Sequence, residues 1–153
     1  MLTSKTKYGL KALVVLARRY ASGEVVPISE IAERENIPTK FLETILVELK
    51  NRGILRSKRG PGGGYALADN PDTISLAAVI RWLNGPLALV PCVSEYAYRP
   101  CEECNDVESC GIRIVLKEVR DTTVQVLQTK TLGELVRRSN EAMRHDDAPM
   151  YFI

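Results

Sequence analysis

The chain has 153 residues, 45% of them hydrophobic and 26% charged, a composition suited to one ordinary globular domain or to a small domain with an appendage. No segment approaches the roughly 18 uninterrupted apolar residues of a membrane-spanning helix, so we expect a cytoplasmic protein with no membrane partner. The net charge of +2 is unevenly divided: residues 1–67 carry twelve Lys and Arg against six Glu (net +6), and residues 68–153 carry nine against thirteen acidic residues (net −4). A basic first half is typical of a surface that neutralises nucleic-acid phosphates, although a solvated face carries such an excess too.

The first two predicted elements are helices. Between residues 4 and 21, apolar side chains recur near a 3.6-residue period with Lys and Arg between them, which predicts an amphipathic helix that ends before Gly23. In the segment VPISEIAERENIP, Ser29 is the expected N-cap of a short second helix, which Pro38 stops.

A third helix follows at once, in the segment TKFLETILVELKNRG. Thr39 is its candidate cap, and Gly53 suits the left-handed conformation that commonly ends a helix. Its expected apolar stripe consists of Phe41, Leu42, Ile45, Leu46 and Leu49. Two short helices joined by a tight turn predict a helix-turn-helix.

The next segment, ILRSKRGPGGGYALA, predicts a β-hairpin that forms a wing. Its strands are expected at residues 54–55 and 65–67, with a basic, glycine-rich tip between them. Glycines 60, 62, 63 and 64 allow the backbone to approach another surface closely, and Lys58 and Arg59 supply positive charge. A nucleotide-binding P-loop is the rival interpretation, but that loop needs Gly-Lys-Ser or Gly-Lys-Thr opening a helix, whereas a strand follows here.

Three more helices are expected in the second half. SLAAVIRWLNG predicts a short helix capped by Ser75 and ended at Gly85, and TLGE is a capping box that opens a short helix after residue 131. Between them, residues 111–130 keep helical spacing of apolar side chains over a length that a small core does not cover, which predicts a homodimer. The apolar residues concerned are Ile112, Val115, Leu116, Val119, Val124 and Leu127. The tail, residues 141–153, gives no clear signal.

All four cysteines of the chain lie in one polar segment before the long helix: Cys92, Cys101, Cys104 and Cys110. In a reducing cytosol, clustered cysteines more often bind metal or perform redox chemistry than form structural disulfides. Thiolates are soft ligands that suit iron–sulfur clusters and zinc, and the C-x8-C-x2-C-x5-C spacing lacks the paired C-x2-C units of a zinc ribbon. An irregular four-cysteine zinc site and a thiol–disulfide switch stay open as alternatives.

The order of these features resembles one known family. An N-terminal helix, a helix-turn-helix, the wing RGPGGGY, a short helix, a cysteine loop and a long helix ending in TLGEL are together similar to the bacterial iron-sulfur cluster regulator (IscR-like) family of winged-helix transcription factors. The resemblance covers about residues 1–135. It implies a homodimer that binds a partly palindromic double-stranded DNA operator and senses iron–sulfur cluster, redox or nitric oxide status through a [2Fe-2S] or [4Fe-4S] cluster.

This interpretation predicts a mainly α-helical chain with four parts. They are a winged helix-turn-helix DNA-binding domain with a small β-hairpin wing at 1–84, a cysteine-rich cluster-binding loop at 85–110, a dimerisation helix with a short C-terminal helix at 111–140, and the tail at 141–153. Because the loop joins the wing domain to the dimer helix, cluster binding is expected to set the spacing of the two recognition helices on the operator.

The expected DNA contacts lie on the third helix and the wing. The N-terminal part of the second helix in a helix-turn-helix faces base edges in the major groove, which here exposes Thr39, Lys40, Glu43 and Thr44. Glu43 is expected to accept a hydrogen bond from cytosine N4, a role that the resemblance also implies, and the alternative is a pairing with Lys40 on a solvated face. Arg59 is expected in the minor groove. The remaining predicted contacts are Lys58, Gly60 and Lys5. Lys5 belongs to a group of generic candidates that contact phosphate or nothing, together with Lys7, Lys50, Arg52 and Arg56.

The cysteine loop departs from the best-known pattern of that family, which has three cysteines with five-residue gaps and a histidine three positions after the last. Cys92 and the pair Cys104-x5-Cys110 fit that pattern, but the middle gap differs and Arg113 occupies the histidine position. The extra Cys101 is the expected substitute, which gives ligation by four cysteines alone. All-thiolate ligation lowers the reduction potential relative to sites that contain histidine.

Two other functions stay open from the sequence. One is a small electron carrier or metalloenzyme whose basic half docks an acidic partner. No Ser-His-Asp set, catalytic carboxylate pair or cofactor fingerprint accompanies the cysteines, however, so we expect no enzymatic activity. The other is a winged-helix repressor with a structural zinc or a thiol redox switch in place of the cluster.

Overall fold

The computed structural model describes residues 2–146 and confirms the mainly helical winged-helix fold. That part of the chain has six α-helices and a two-stranded antiparallel sheet. The helices are α1 (Ser4–Arg18), α2 (Ile28–Glu35), α3 (Thr39–Asn51), α4 (Leu76–Asn84), α5 (Gly111–Thr129) and α6 (Leu132–Asp146), and the strands are β1 (Leu55–Lys58) and β2 (Gly64–Leu67). None of these helices has the length and apolar character needed to cross a lipid bilayer. Residues 147–153 of the predicted tail lie outside the described residues.

The chain forms two compact units. One contains the residues up to Ile74 and those from Thr131 onward, and the other contains Ser75–Lys130. The first unit holds the helix-turn-helix, the hairpin and α6, and the second holds α4, the cysteine loop and α5. The second compact unit thus contains both α4 and α5. The sequence instead predicts that the DNA-binding domain ends at residue 84, after α4, and that functional boundary stays a prediction.

The ends of α1 follow from its flanking residues. Thr3 is the N-cap, and its Oγ1 accepts the backbone N–H of Thr6 at 3.2 Å, which satisfies one of the free donors at the start of the helix. The helix stops at Arg18, before the predicted residue 21, because residues 20–22 form a 3₁₀ turn that Gly23 closes with a φ of 68°. The residues that α1 buries almost completely are Ala12, Leu13, Val15 and Leu16.

The predicted helix-turn-helix is formed by α2 and α3. The predicted cap of α2, Ser29, is wrong, because the helix begins at Ile28 with Pro27 at the N-cap. In the same way α3 begins at Thr39, with Pro38 at the cap position that was predicted for Thr39. Each proline fixes φ at about −60° at the entrance to its helix, but its ring accepts no hydrogen bond, so neither helix has a side-chain cap at that position. The core side of α3 consists of the fully buried Leu42, Ile45, Leu46 and Leu49.

The wing is longer than predicted and is fastened to the helix-turn-helix. Its two strands pair antiparallel, with Lys58 opposite Gly64 at the tip end. The backbone of Val26, just before α2, adds a further rung: its N–H donates to the carbonyl of Tyr65 at 2.8 Å, and its carbonyl accepts the N–H of Tyr65 at 2.9 Å. β2 is therefore held by hydrogen bonds on both sides near the tip end of the hairpin.

The four wing glycines serve the hairpin itself. Gly60 and Gly62 have φ of 87° and 71°, a region that side chains disfavour. Gly63 and Gly64 are crowded, because a Cβ on Gly64 would overlap the carbonyl of Val26 and a Cβ on Gly63 would overlap the hairpin backbone. These requirements account for the glycines without a second surface, so close approach to such a surface stays a prediction.

The C-terminal helix α6 packs against α1 and against the 3₁₀ turn at Pro71–Thr73. The threonine half of the predicted capping box is confirmed, since Thr131 Oγ1 accepts the N–H of Glu134 at 3.1 Å. The helix has 15 residues and is not the short helix that was predicted. Two polar contacts join α6 to the rest of the first unit. Arg18 Nη2 donates to Ser139 Oγ at 2.9 Å, and Arg137 Nη1 lies 2.7 Å from Asp72 Oδ1.

The second unit is built on α4 and α5. Ser75 occupies the N-cap of α4 as predicted, and α4 buries Ala77, Val79, Ile80 and Leu83. α5 has a half-buried face made by Arg113, Leu116, Arg120, Val124 and Leu127. A second apolar stripe on α5 is exposed and consists of Ile112, Val115, Val119 and Val126, with 43% to 73% of their surface open. This second stripe has no cover among the described residues.

Candidate nucleic-acid interface and cysteine cleft

The four base-reading candidates on α3 share one exposed face. Thr39, Lys40, Glu43 and Thr44 are all exposed, whereas the buried residues of α3 point into the core. Steps of three and four residues place them along one side of the helix. Thr44 Oγ1 donates its hydroxyl hydrogen to the carbonyl of Lys40 at 3.3 Å. This bond does not use the methyl group of Thr44 or the acceptor lone pairs of its hydroxyl oxygen.

Glu43 keeps an unpaired carboxylate. Lys40 lies three residues earlier, a spacing at which helical ion pairs form. Among residues 2–146, however, neither of the two side chains makes an ion pair. The alternative in which Glu43 only pairs with Lys40 on a solvated face is therefore not observed, and the carboxylate remains available as a hydrogen-bond acceptor.

Lys5, in contrast, is neutralised within the protein. Its Nζ lies 2.6 Å from Glu48 Oε2, and Arg52 Nη2 lies 3.8 Å from the other oxygen of the same carboxylate. A lysine held by an internal carboxylate offers less net charge to a phosphate. Of the predicted DNA contacts, Lys5 is thus the weakest candidate.

Basic residues of the wing and α3 meet at one cleft. The cleft has a volume of about 410 Å³ and is lined by Lys50, Lys58, Arg59 and Gly60 together with the start of α2. Three cations around one concave surface attract phosphate groups. Lys50, predicted only as a generic phosphate contact, lines this cleft. It lies seven residues, or two helical turns, after Glu43 on the same exposed face of α3.

Phe41 is exposed, contrary to the predicted apolar stripe. Its surface is 41% open, and its ring packs edge-on against Tyr8 of α1, with ring centroids 5.8 Å apart and planes at 83°. The prediction failed because position 41 lies at the margin of the stripe, where the neighbouring helix and not the periodicity decides burial. An aromatic pair therefore stands beside the base-reading residues.

All four cysteines line one cleft of about 760 Å³ in the second unit. Cys110 is the N-cap residue of α5, and Cys92 lies in a 3₁₀ turn at Pro91–Val93. The backbone N–H of Cys104 donates to the carbonyl of Cys101 at 3.3 Å, which holds these two residues together. Each cysteine is a free, half-buried thiol. Residues separated by up to 18 positions in the sequence are thus gathered at one surface.

Cys104 and Cys110 have pKa values that shift in opposite directions. The hydrogen bond between the Cys104 and Cys110 side chains, helped by desolvation, raises the pKa of the Cys104 thiol to about 11. The pKa of the Cys110 thiol is lowered, chiefly by the backbone N–H of Arg113 in the first turn of α5 and next by the same hydrogen bond from Cys104. Cys110 is therefore the more readily ionised of the pair.

The donor set of this cleft fits a soft metal centre. Four thiols are the ligands that iron–sulfur clusters prefer, and Cys101, Cys104 and Cys110 already interact through their side chains. Among the residues that the structure describes, no three Cys, His, Asp or Glu side chains surround one point as metal ligands. Metal binding therefore requires the thiols to turn toward a common centre. Arg113 lines the same cleft and donates from Nε to the carbonyl of Cys92 at 3.3 Å.

Comparison with known proteins finds both the fold and the sequence pattern elsewhere. The family described as Rrf2, iron-dependent transcriptional regulator, matches residues 2–138. An rrf2-like HTH-type transcriptional regulator of Rhodobacter capsulatus is 40% identical over 146 residues, which cover 94% of this chain and 97% of the relative. The structure of CymR, the global cysteine regulator of B. subtilis, is similar with a TM-score of 0.74 at 28% identity, covering 90% of this chain and 97% of that one. The structure of IscR from T. potens is similar with a TM-score of 0.71 at 26% identity, covering 93% and 90%.

Proposed function

The chain belongs to the Rrf2 family of transcriptional regulators, and on that basis we propose that it is a homodimeric DNA-binding regulator that senses through a cysteine-ligated iron–sulfur cluster. One observation carries the sensing part of the proposal: all four cysteines line a single cleft at the N-terminus of α5. A solvated loop does not need four thiols gathered at the first turn of a long helix, whereas a soft metal centre does. No enzymatic activity is expected, and we place the protein in the cytoplasm.

In this proposal the cysteines hold the cluster and α5 receives the signal. The ligands are Cys92, Cys101, Cys104 and Cys110, and the bound group supplies a redox-active centre of either the [2Fe-2S] or the [4Fe-4S] type. Cys110 caps α5, so any change in the charge or position of its sulfur acts directly on the first turn of that helix. Arg113, in the same turn, also contacts the backbone of Cys92, which joins both ends of the loop to α5.

The DNA contacts of the proposal are the exposed face of α3 and the wing. Base edges are read by Thr39, Lys40, Glu43 and Thr44, and the wing contributes Lys58, Arg59 and Gly60, with Arg59 in the minor groove. Lys5 contributes least because Glu48 already neutralises it. Lys50 joins the wing cations as a phosphate contact.

The dimer of the proposal is formed through α5. Its exposed stripe at Ile112, Val115, Val119 and Val126 follows the steps of three, four and seven residues that bring apolar side chains onto one seam of paired helices. A contiguous apolar stripe on a soluble helix marks an interaction surface. A second copy of the same helix is the simplest complement, because a two-fold contact uses one patch twice.

Metal analysis tests the sensing proposal first. We expect protein purified under anaerobic conditions to contain iron and acid-labile sulfide in comparable amounts and to show a brown visible absorption. Changing Cys92, Cys104 and Cys110 to Ser is expected to remove both and to change operator affinity and its response to oxidants. Colourless wild-type protein with one zinc per chain would instead make the loop a structural clip.

A thiol redox switch is the second candidate function. Cys104 and Cys110 line the same cleft, and an interaction between their side chains shifts the pKa values of both thiols. In this version, hydrogen peroxide oxidises one thiol, the other displaces water, and a Cys104–Cys110 disulfide forms. Mass spectrometry of peroxide-treated, metal-free protein detects that disulfide. Its formation together with a change in DNA affinity, in protein that never carries iron, would favour the switch over the cluster.

A further inference from the structure

Arg113 is the one charged side chain of the first turn of α5 that reaches across the cysteine cleft. Its Nε donates to the backbone carbonyl of Cys92 at 3.3 Å, over a separation of 21 residues. Cys92 lies in the 3₁₀ turn Pro91–Val93, and Val93 of that turn is almost completely buried. The guanidinium therefore joins an anchored turn on one side of the cleft to the helix that starts on the other side.

We propose that Arg113 is a positioning residue of the cysteine cleft, which holds Cys92 against the other three cysteines and places a fixed positive charge beside their sulfurs. The inference rests on the proposed function for the identity of the bound group, but the contact itself does not depend on that identity. Arginine suits this role because its guanidinium stays charged and presents five N–H donors in a planar fork. One of these N–H groups donates to the Cys92 carbonyl. The other four belong to the same guanidinium, whose residue lines the cleft.

The positive charge has a physical use at this place. Four thiolates that bind one metal centre repel one another, and a cation in contact with the cleft offsets part of that repulsion. Arg113 lies on the cleft wall together with Cys110 and Cys92, so it is near ligands from both ends of the loop. Groups that orient metal ligands from outside the coordination sphere typically change metal affinity by about 10-fold to 100-fold when they are removed.

Arg99 provides a matched control. It is also an arginine lining this cleft, but its hydrogen bond is made by its backbone, whose N–H donates to the carbonyl of Pro91 at 3.3 Å. Arg99→Gln therefore removes one positive charge from the cleft and leaves that bond intact. Arg113→Gln removes the same charge together with the guanidinium that contacts Cys92.

The test uses reduced, metal-free full-length protein and two measurements. In the first, iodoacetamide labelling followed by mass spectrometry gives the reactivity of Cys92 and Cys101 separately. We expect Arg113→Gln to speed labelling of Cys92 by about threefold to tenfold, because its turn is released, and to leave Cys101 unchanged. In the second, titration with Cd²⁺ alone should show affinity lowered about 10-fold to 100-fold. Thermal unfolding checks that both variants remain folded.

The outcomes separate this inference from the proposed function. Equal effects of Arg113→Gln and Arg99→Gln, or no effect of Arg113→Gln on Cys92 labelling, would overturn the positioning role. Absence of iron and sulfide in the wild-type protein would overturn the cluster proposal, while the Cys92 labelling result would still decide the role of Arg113. A selective effect of Arg113→Gln on both measurements supports the inference whichever soft metal binds in the cell.

Discussion

At the scale of single residues, the cysteine cleft is chemically asymmetric. The interaction between the Cys104 and Cys110 side chains raises the pKa of the first thiol and helps to lower the pKa of the second. The backbone N–H of Arg113, in the first turn of α5, is the largest cause of the lowered Cys110 pKa. Of these two thiols, the one that caps the helix is therefore the better nucleophile near neutral pH.

Alkylation of the reduced, metal-free protein measures this asymmetry. At about pH 8 a thiol with a pKa of about 11 is ionised in only about one molecule in a thousand, whereas a thiol whose pKa lies below 9.0 is ionised in more than about one in eleven. Allowing for the lower intrinsic nucleophilicity of the more acidic thiol, we expect Cys110 to react about tenfold faster than Cys104. Time-resolved mass spectrometry gives both rates.

The sign of the pH dependence provides the control for that experiment. Raising the pH toward the pKa of Cys104 should speed its labelling steadily, while labelling of Cys110 should level off at lower pH, once its thiol is fully ionised. Cys110→Ala removes the side chain that chiefly raises the Cys104 pKa, so it should make Cys104 more reactive at a given pH. Equal rates for the two thiols across the pH range would contradict the assigned contact.

Glu43 carries the second prediction at this scale. Its free carboxylate on the exposed face of α3 suits a hydrogen bond from cytosine N4, so Glu43→Ala should relax the preference at one base pair per half-site. The expected loss of discrimination is about 1–3 kcal/mol at that position. Selection of binding sites from a random DNA library, for wild-type protein and variant, identifies the position.

Glu33 of α2 supplies the matched control, because it is an exposed carboxylate of the same helix-turn-helix outside the base-reading face. Glu33→Ala removes the same charge and should change affinity for all sequences alike, with no change in the selected motif. Should Glu43→Ala do the same, the carboxylate acts only through its charge and reads no base.

At the scale of elements, the wing shows how backbone packing restricts sequence. β2 is hydrogen-bonded to β1 on one side and to Val26 on the other, and Gly64 stands where the second contact is closest. The anchoring of β2 near the tip end of the hairpin thus depends on a position without a side chain. The tip, with Gly60 and Gly62 at positive φ, presents Lys58 and Arg59 directly beyond this contact.

Gly64→Ala tests that dependence. A Cβ at this position overlaps the backbone carbonyl of Val26, which is not free to move because it accepts the N–H of Tyr65. We expect a loss of about 1–3 kcal/mol in the free energy of unfolding, typical of forced overpacking, and weaker DNA binding as the wing shifts. Urea denaturation and a gel shift measure the two effects.

Gly111→Ala is the control substitution, since a Cβ at Gly111, the first residue of α5, meets no atom within 4 Å. Alanine is the stronger helix former, so that variant should be as stable as the wild type or slightly more stable. A Gly64→Ala protein with wild-type stability and DNA affinity would show that the Val26 contact yields easily.

Periodicity predicted the helices well, because burial on one side repeats every 3.6 residues whatever the partner is. It placed Leu42, Ile45 and Leu49 correctly in the core. Periodicity does not predict contacts between elements. The exposure of Phe41 depends on Tyr8 of another helix, and the crowding at Gly64 depends on a loop 38 residues away. The gathering of the cysteines into one cleft was expected from chemistry, whereas the contact of Arg113 with Cys92 has no local signal in the sequence.

At the scale of the whole molecule, internal ion pairs neutralise part of the positive charge in the first half of the chain. Several cations of the basic first half are paired with carboxylates, namely Lys5 with Glu48, Lys11 with Glu35, and Arg19 with Glu24 and Glu30. Lys50, Lys58 and Arg59, which line the wing cleft, make no ion pair among residues 2–146. Part of the positive charge that is not paired internally therefore lies where α3 and the wing meet, which gives the basic half a cationic surface to offer to DNA.

The exposed stripe of α5 carries the last prediction, which concerns the assembly. Val119 lies between Val115 and Val126 on that stripe, so in the proposed dimer it is enclosed by the partner helix. Val119→Glu would bury a carboxylate without a partner, and we expect the dimer dissociation constant to rise about a hundredfold or more.

Gln125→Glu adds the same charge on a different face of α5, in a polar cleft, and should leave the dimer intact. Analytical ultracentrifugation of the two variants gives the mass directly, and binding to a palindromic operator should be lost with the dimer, because a monomer contacts a single half-site. A Val119→Glu protein that sediments as a dimer and binds both half-sites would place the interface elsewhere on the chain.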